Sequence, residues 1–285
     1  MSDNELGLFL RSRRDAVAPA SVGLPAGARR RAPGLRRSEL ALLAGVSVEY
    51  LTRLEQGRDR RPSPEILAAL ADALRLTPGE RVHLYRLTKA ADPGFACTGS
   101  APMVRTVRPA VRSVLDHLDP AAAALFDRTG EVLACTDGYR RLMAPSGLFD
   151  EENGGRLAWY VFADARAREL YPDWSEVADQ WVATLKEGPF RADPVVGRMV
   201  EQLTVVAGVE FTRRVATVPG LPAASGITRM NHPVIGPLRL AYETLDLSAD
   251  DAQRLIVHLP ADEASAHALD RLAGRRPGGL RAVSG

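Results

Sequence analysis

Hydrophobic positions fall into two regimes along the chain. From Glu5 to about Ala90 they recur at helical spacing, and after Val104 helical runs alternate with strand-like ones. Leu6, Phe9 and Leu10 share one helical face in a segment that ends in Arg11, Arg13 and Arg14. Residues 17–35 are rich in Ala, Pro, Gly and Arg and read as a loop. Helical spacing returns at Ser38, which is placed to cap a short helix through Leu40 and Leu43. Gly45 supplies the left-handed conformation of a sharp turn, Val46 plugs the angle, and Ser47 is suited to cap the next helix. On that second helix Leu51 and Leu54 face inward, while Val48, Glu49, Thr52 and Arg53 face outward. Gly57 ends it, and PSPEILAALADALRL and PGERVHLYRL supply two supporting helices.

The tract ADPGFACTGSAP (91–102) has linker composition. Beyond it, residues 104–118 read as a helix, and AALFDRTGEVLACT reads as two strands around a turn at Thr129–Gly130. A long helical tract with aromatic residues spans about 156–206. GITRMNHP, PLRLAYETLDL and AQRLIVHLPA follow as strands, and a helix near 264–272 closes the pattern. The expected architecture is therefore multidomain: an all-α head at 1–90, a linker at 91–103, an α+β domain at 104–275 and a disordered tail at 276–285. The second domain is expected to be an antiparallel sheet covered by helices.

Composition sharpens this division. Residues 1–90 carry 16 Lys+Arg against 10 Asp+Glu, a net charge of +6, whereas the remainder carries 21 against 25, a net of −4. A basic head on a mildly acidic body fits nucleic-acid binding. The opening MSDNELGLFLRSRR has no apolar core of a secretory leader, and no run approaches the length of a membrane span. Cys97 and Cys135 are too few for a disulfide scaffold and suit free thiols in a reducing cytoplasm. Phosphate-cradling glycine loops, a GxSxG elbow and HExxH are absent, so neither a catalytic residue nor a cofactor is expected. Glu263 and His267, with Asp262, are spaced for a shared metal, but a solvated helix face accounts for them and no metal site is expected.

The helix–turn–helix geometry lets its second helix enter a major groove. Ser47, Val48, Glu49, Tyr50, Thr52 and Arg53 are then the candidates at the groove, with Arg53 placed for a base or phosphate. Arg29, Arg30 and Arg31 with Arg36 and Arg37 form a basic cluster suited to phosphates or a minor groove, or to plain solvation. In the second domain Trp159, Phe162, Tyr171, Trp174, Trp181 and Phe190 gather in one tract, which serves either core packing or an apolar ligand pocket. Arg166, Arg168 or His232 would meet a polar head group there, or pair with neighbouring carboxylates.

Leu40–Ala41, Ala44-Gly45-Val46-Ser47 and Leu54-Glu55-Gln56-Gly57 resemble the helix-turn-helix of XRE/Cro-type regulators. The wider string GLPAGARRRAPGLRRSELALLAGVSVEYLTRLEQGR is similar to that of the MmyB-like subgroup, as are Arg168–Trp174, Asn231–Glu243 and the closing ALDRLA. Arg37 and Val48 stand where such proteins often have glutamine, and Val215 falls where a tryptophan would be expected. The resemblance implies a lambda-repressor-like head and a PAS-like ligand-binding domain in a homodimer. It also implies a small-molecule effector, for which the aromatic tract favours a lipophilic ligand such as a fatty acid. Two such helices in a dimer point to double-stranded DNA with a palindromic operator as partner. The alternative is a second domain that only dimerises the chain or recruits a partner, with no ligand.

Overall fold

The computed structural model describes residues 4–25, 34–59, 61–90, 105–187, 193–247, 253–276, 278 and 281–283. Contacts divide the chain into two compact units. The first comprises 1–99 with two short later segments, 186–189 and 217–221, and the second comprises the rest. The whole of the linker expected at 91–103 lies outside the described residues, as do Arg29, Arg30, Arg31 and Phe190.

The first unit contains α1 (Glu5–Ala16), α2 (Arg37–Leu43), α3 (Val48–Glu55), α4 (Pro64–Ala73) and α5 (Pro78–Ala90). Leu6, Phe9, Leu10, Leu40, Leu51, Leu54, Leu70 and Leu84 form one buried core, so each helix contributes an apolar stripe. Gly45 takes φ 64° in the α2–α3 turn, as the sequence requires. Ser47 accepts the amide of Tyr50 at 3.0 Å and starts α3. Ser38 does not cap α2. The helix begins at Arg37, two residues earlier than a Ser38 cap would start it, and Glu39 reaches back to the Arg36 amide at 2.7 Å and satisfies that end. Within this unit the buried Lys186 also lies 3.0 Å from Glu5.

The second unit carries α6 (Pro109–Leu118), β1 (Ala122–Phe126), β2 (Val132–Cys135), α7 (Asp137–Met143), α8 (Leu157–Ala163), α9 (Arg166–Leu170), α10 (Trp174–Leu185) and α11 (Pro194–Thr217). Then follow β3 (Ser225–His232), β4 (Gly236–Asp246), β5 (Arg254–Pro260) and α12 (Glu263–Leu272). The five strands form one antiparallel sheet in the order β2-β1-β5-β4-β3. On one face Val111 and Leu115 of α6 pack on Ala123, Leu125 and Leu255. On the other, Tyr139 of α7 and Trp181 of α10 meet Phe126 edge-on. β1 is buried on both faces, which explains its uninterrupted apolar run.

The helical tract expected at 156–206 resolves into α8 to α11, the last continuing to Thr217 with a break at Gly208 (φ 54°, ψ −131°). Asp164 accepts the Arg166 amide at 2.9 Å and ends α8, and Pro172 separates α9 from α10. The short α7, capped by Thr136 on the Tyr139 amide, was not signalled by hydrophobic spacing. The closing tail, expected to be disordered, is held at two described points: Gly278 N bonds Asp270 at 2.8 Å and Val283 N bonds Pro260 O at 2.9 Å.

Candidate functional site

The first site is the outward face of α3. Leu51, Leu54 and Glu55 are fully buried and anchor the helix, leaving Ser47, Val48, Glu49 and Arg53 exposed with Tyr50 and Thr52 half-buried beside them. Val48 retains 39% exposure at the helix start, where an apolar side chain suits contact with a thymine methyl. Thr52 donates its hydroxyl to Val48 O at 2.7 Å, one turn back on the same helix, which holds the side chain in one rotamer. The Arg53 guanidinium lies 5.6 Å from the Tyr50 ring centroid, a cation–π arrangement that holds the charge at this face. Burial raises the Tyr50 phenol, helped by Asp59 and opposed by Arg53, so its hydroxyl stays a neutral donor at neutral pH.

Arg36 and Arg37 are both exposed at the start of α2, but they are not equivalent. Arg37 Nε bonds Glu55 Oε2 at 2.6 Å, so one side of its guanidinium is tied to a buried carboxylate. The same carboxylate holds Arg14 Nε at 2.8 Å, and Arg11 and Asn4 bond the Glu55 carbonyl at 3.1 and 2.8 Å. Glu55 thus ties α1 and α2 to the end of α3. Its place in the Leu-Glu-Gln-Gly string was the only sequence signal for this role.

The second region is the interior of the sheet domain, where the aromatic residues do not form one group. Phe162 lies edge-on to Trp174 and Phe211 at 6.0 and 5.0 Å, and Trp174 Nε1 bonds Val161 O at 2.8 Å. Arg168 stacks 3.5 Å from the Trp174 ring centroid and Arg214 lies 4.8 Å from it. Trp159 is half-buried under Arg156 at 5.0 Å. A separate cluster joins Trp181 and Phe126 to Tyr139, Phe149, His258 and Tyr242. Tyr171 is buried, and its phenol lies close enough to act on that of Tyr139.

Two residues expected to meet a ligand head group have protein partners instead. His232 bonds Leu142 O through Nε2 at 3.0 Å, and its Nδ1 accepts the Val234 amide at 3.1 Å. Both ring nitrogens are used in fixing the β3–β4 turn, and desolvation lowers its pKa. Arg166 binds Asp164 and Asp150 at 2.7 and 2.8 Å, and its hydrogen bond to Asp164 draws that carboxyl down to about 2. Tyr139, Phe149, Tyr242 and His258 went unnoticed in the sequence because α7 and the inward face of the strands set them together, not any spacing.

Among the described residues no helix is long and apolar enough to cross a membrane. A family model described as a helix-turn-helix domain matches residues 5–84, covering α1 to α4 and the first half of α5. A second, described as the MmyB-like transcription regulator ligand binding domain, matches residues 107–272. No curated protein matches the chain. The exposed face of α3 lies in the first matched region and the aromatic clusters lie in the second, so the chain belongs to the MmyB-like transcription regulators, with a DNA-binding helix-turn-helix domain and a ligand-binding domain.

Proposed function

We propose that this chain is an XRE-type homodimeric regulator in the cytoplasm, whose two α3 helices enter successive major grooves of a palindromic operator. The half-sites would be spaced by about 34 Å or a multiple of it. The observation that carries this reading is the outward face of α3, with Val48, Glu49, Thr52 and Arg53 presented on a helix anchored by Leu51, Leu54 and Glu55. Ser47 and Tyr50 flank that face, while Arg36 and Arg37 supply phosphate contacts that set register without reading sequence. Arg29, Arg30 and Arg31 extend the basic cluster along the DNA backbone.

The sheet domain is the sensor. Its strand order, with β5 between β1 and β4, supports a PAS-like fold, and its aromatic interior suits a small lipophilic effector, a fatty acid being one class. Trp181 and Tyr171, which lie with the second cluster, are the proposed surroundings of that effector, whereas Phe162, Arg168 and Trp174 are engaged with one another and with Phe211 and Arg214. The effector acts by its differential affinity for two arrangements of the dimer.

The test is binding of the purified chain to DNA upstream of its own gene across a salt titration, beside Arg53→Ala. The reading expects sequence-dependent binding that weakens steeply with salt and loses about tenfold or more in the variant. Weak, sequence-blind binding equal in both proteins overturns it.

A further inference from the structure

The second aromatic cluster contains polar atoms that the protein does not satisfy. Tyr139 is 1% exposed, yet its hydroxyl has no hydrogen-bond partner among the described residues. Its ring lies between Phe126, Phe149 and His258, with centroids 6.0, 6.4 and 6.1 Å away. The Nδ1 of His258 in that same group is also buried and unpartnered. Most buried side-chain polar groups in folded proteins find a partner, and each exception calls for a physical explanation. A phenol left unpaired costs about 1–3 kcal/mol, and Phe would give the same shape without that cost.

We propose that Tyr139 Oη and His258 Nδ1 are the hydrogen-bonding handle of the effector site, and that they take an uncharged polar group (a ketone, hydroxyl, ester or amide) on an otherwise apolar molecule. This rests on the reading of the sheet domain as a sensor and narrows its ligand. The chemistry of the cluster selects against a charged head group. Burial raises the Tyr139 phenol well above its ordinary value, and the neighbours acting on it are Tyr171 and Cys135, neither of them a cation. Desolvation lowers His258 to about 4, so its imidazole is neutral at neutral pH. Arg140 stacks 4.9 Å from the Phe149 ring centroid, but it is exposed and its charge is hydrated. A carboxylate placed here would lose its water without gaining a buried cation. A neutral carbonyl or hydroxyl would instead pair with the phenol, while its apolar body meets Phe126, Phe149 and Trp181.

The geometry gives the handle a scaffold of its own. Tyr139 sits at the start of α7, whose cap Thr136 accepts the Tyr139 amide at 3.1 Å and also donates to the carbonyl of Ala121, just before β1, at 2.8 Å. His258 pairs with Ala122 across β5–β1, while Thr136 ties α7 to the β2 side of β1, so the two polar side chains are fixed from opposite edges of β1 and their rings meet at 6.1 Å. Tyr242 flanks His258 at 6.3 Å from the adjacent strand. Such rigid placement suits recognition by one or two oriented hydrogen bonds inside an apolar site.

The experiment uses the full chain and its Tyr139→Phe variant with four probes of equal length: dodecan-2-one, dodecan-1-ol, dodecanoate and dodecane. Binding is read from tryptophan fluorescence and calorimetry, and thermal unfolding is recorded without probe. The proposal expects the ketone and alcohol to bind the wild type and to weaken about tenfold in the variant. It also expects the ligand-free variant to unfold at the same temperature as the wild type or higher. Equal binding of ketone and alcohol to both proteins overturns it, as does a ligand-free variant that melts several degrees lower, which would mean the hydroxyl is already satisfied. Dodecanoate bound tightly and indifferent to the substitution leaves the sensor reading standing and overturns the handle. If no probe binds the wild type or changes its DNA binding, the handle and the lipophilic-sensor reading fall together.

Discussion

Arg37 Nε lies 2.6 Å from Oε2 of Glu55, a carboxylate with no exposed surface whose other oxygen takes Arg14. An arginine that the sequence offers to DNA is thus fastened to the recognition helix from behind. Arg14 is itself nearly buried and bonds Leu35 O at 2.7 Å, so removing Glu55 would leave its guanidinium with only the exposed Asp15 as counter-charge and would take away its buried one. Losing one partner of a buried pair costs about 3–5 kcal/mol. Glu55→Ala should lower the denaturant midpoint of the head by that order, whereas Arg37→Ala, which removes the half-exposed partner, should cost about 1 kcal/mol. Urea unfolding of the three proteins followed by circular dichroism checks this. A Glu55→Ala chain as stable as the wild type would show that the network contributes nothing.

Two glycines of the same backbone class should respond differently to alanine. Gly45 (φ +64°) has nothing within 4 Å of where a Cβ would lie, so Gly45→Ala meets only the left-handed penalty of about 1–2 kcal/mol. Gly130 (φ +81°) would place its Cβ 2.7 Å from Trp181 Cζ3 and 3.2 Å from Ala158. Gly130→Ala adds a clash in a packed core to the same penalty, and about 3 kcal/mol or more is expected. It should also shift the tryptophan emission, because Trp181 must move. Thermal unfolding and fluorescence of both variants separate the two terms.

The head was more legible than the sensor, for a physical reason. Its chemistry sits in consecutive turns: Gly45 must turn, Ser47 must cap, and Leu51 and Leu54 must point inward, all from local spacing. The strands β3, β4 and β5 were legible for the same reason, since alternation marks them directly. The second aromatic cluster was not. Tyr139 and His258 are far apart in sequence and are brought together by the β1–β5 pairing and by α7, a helix too short to announce itself by hydrophobic period. Likewise Trp174 and Trp181 fall in different clusters although they share α10, because seven residues separate them by about 10 Å along the helix axis.

Acid should weaken both domains through histidines held neutral. Desolvation lowers His83 to about 4, with Arg86 and Arg13 adding to it, and lowers His258 to about 4. Folded pKa values below the unfolded value of about 6.5 mean that the unfolded chain binds more protons between those limits. The contribution of each histidine is therefore intact above about pH 6.5 and is lost as pH falls toward 4. His83 lies edge-on to Phe9 at 5.1 Å, so His83→Phe keeps an aromatic ring in the core. Stability measured from pH 7.5 to 4.5 should fall less steeply in that variant than in the wild type. An identical slope would remove His83 from the account.

Trp174 offers the converse test of which aromatic residues hold structure and which meet a ligand. Its indole N–H is committed to Val161 O at 2.8 Å, and Arg168 and Arg214 lie within 3.5 and 4.8 Å of its ring centroid. Arg214 is in turn fixed by Glu210 at 2.7 Å and Asp179 at 2.8 Å, so the indole N–H and the Arg214 charge are both engaged within the protein. Trp174→Phe would leave the Val161 carbonyl unpaired and thin the stacking surface, at a cost of about 1–3 kcal/mol. It should nevertheless change the affinity for dodecan-2-one by no more than about twofold, because a stability loss shared by free and bound states cancels in binding. A large loss of affinity with little loss of stability would instead move the effector site to Trp174, and the neutral handle at Tyr139 would have to be abandoned.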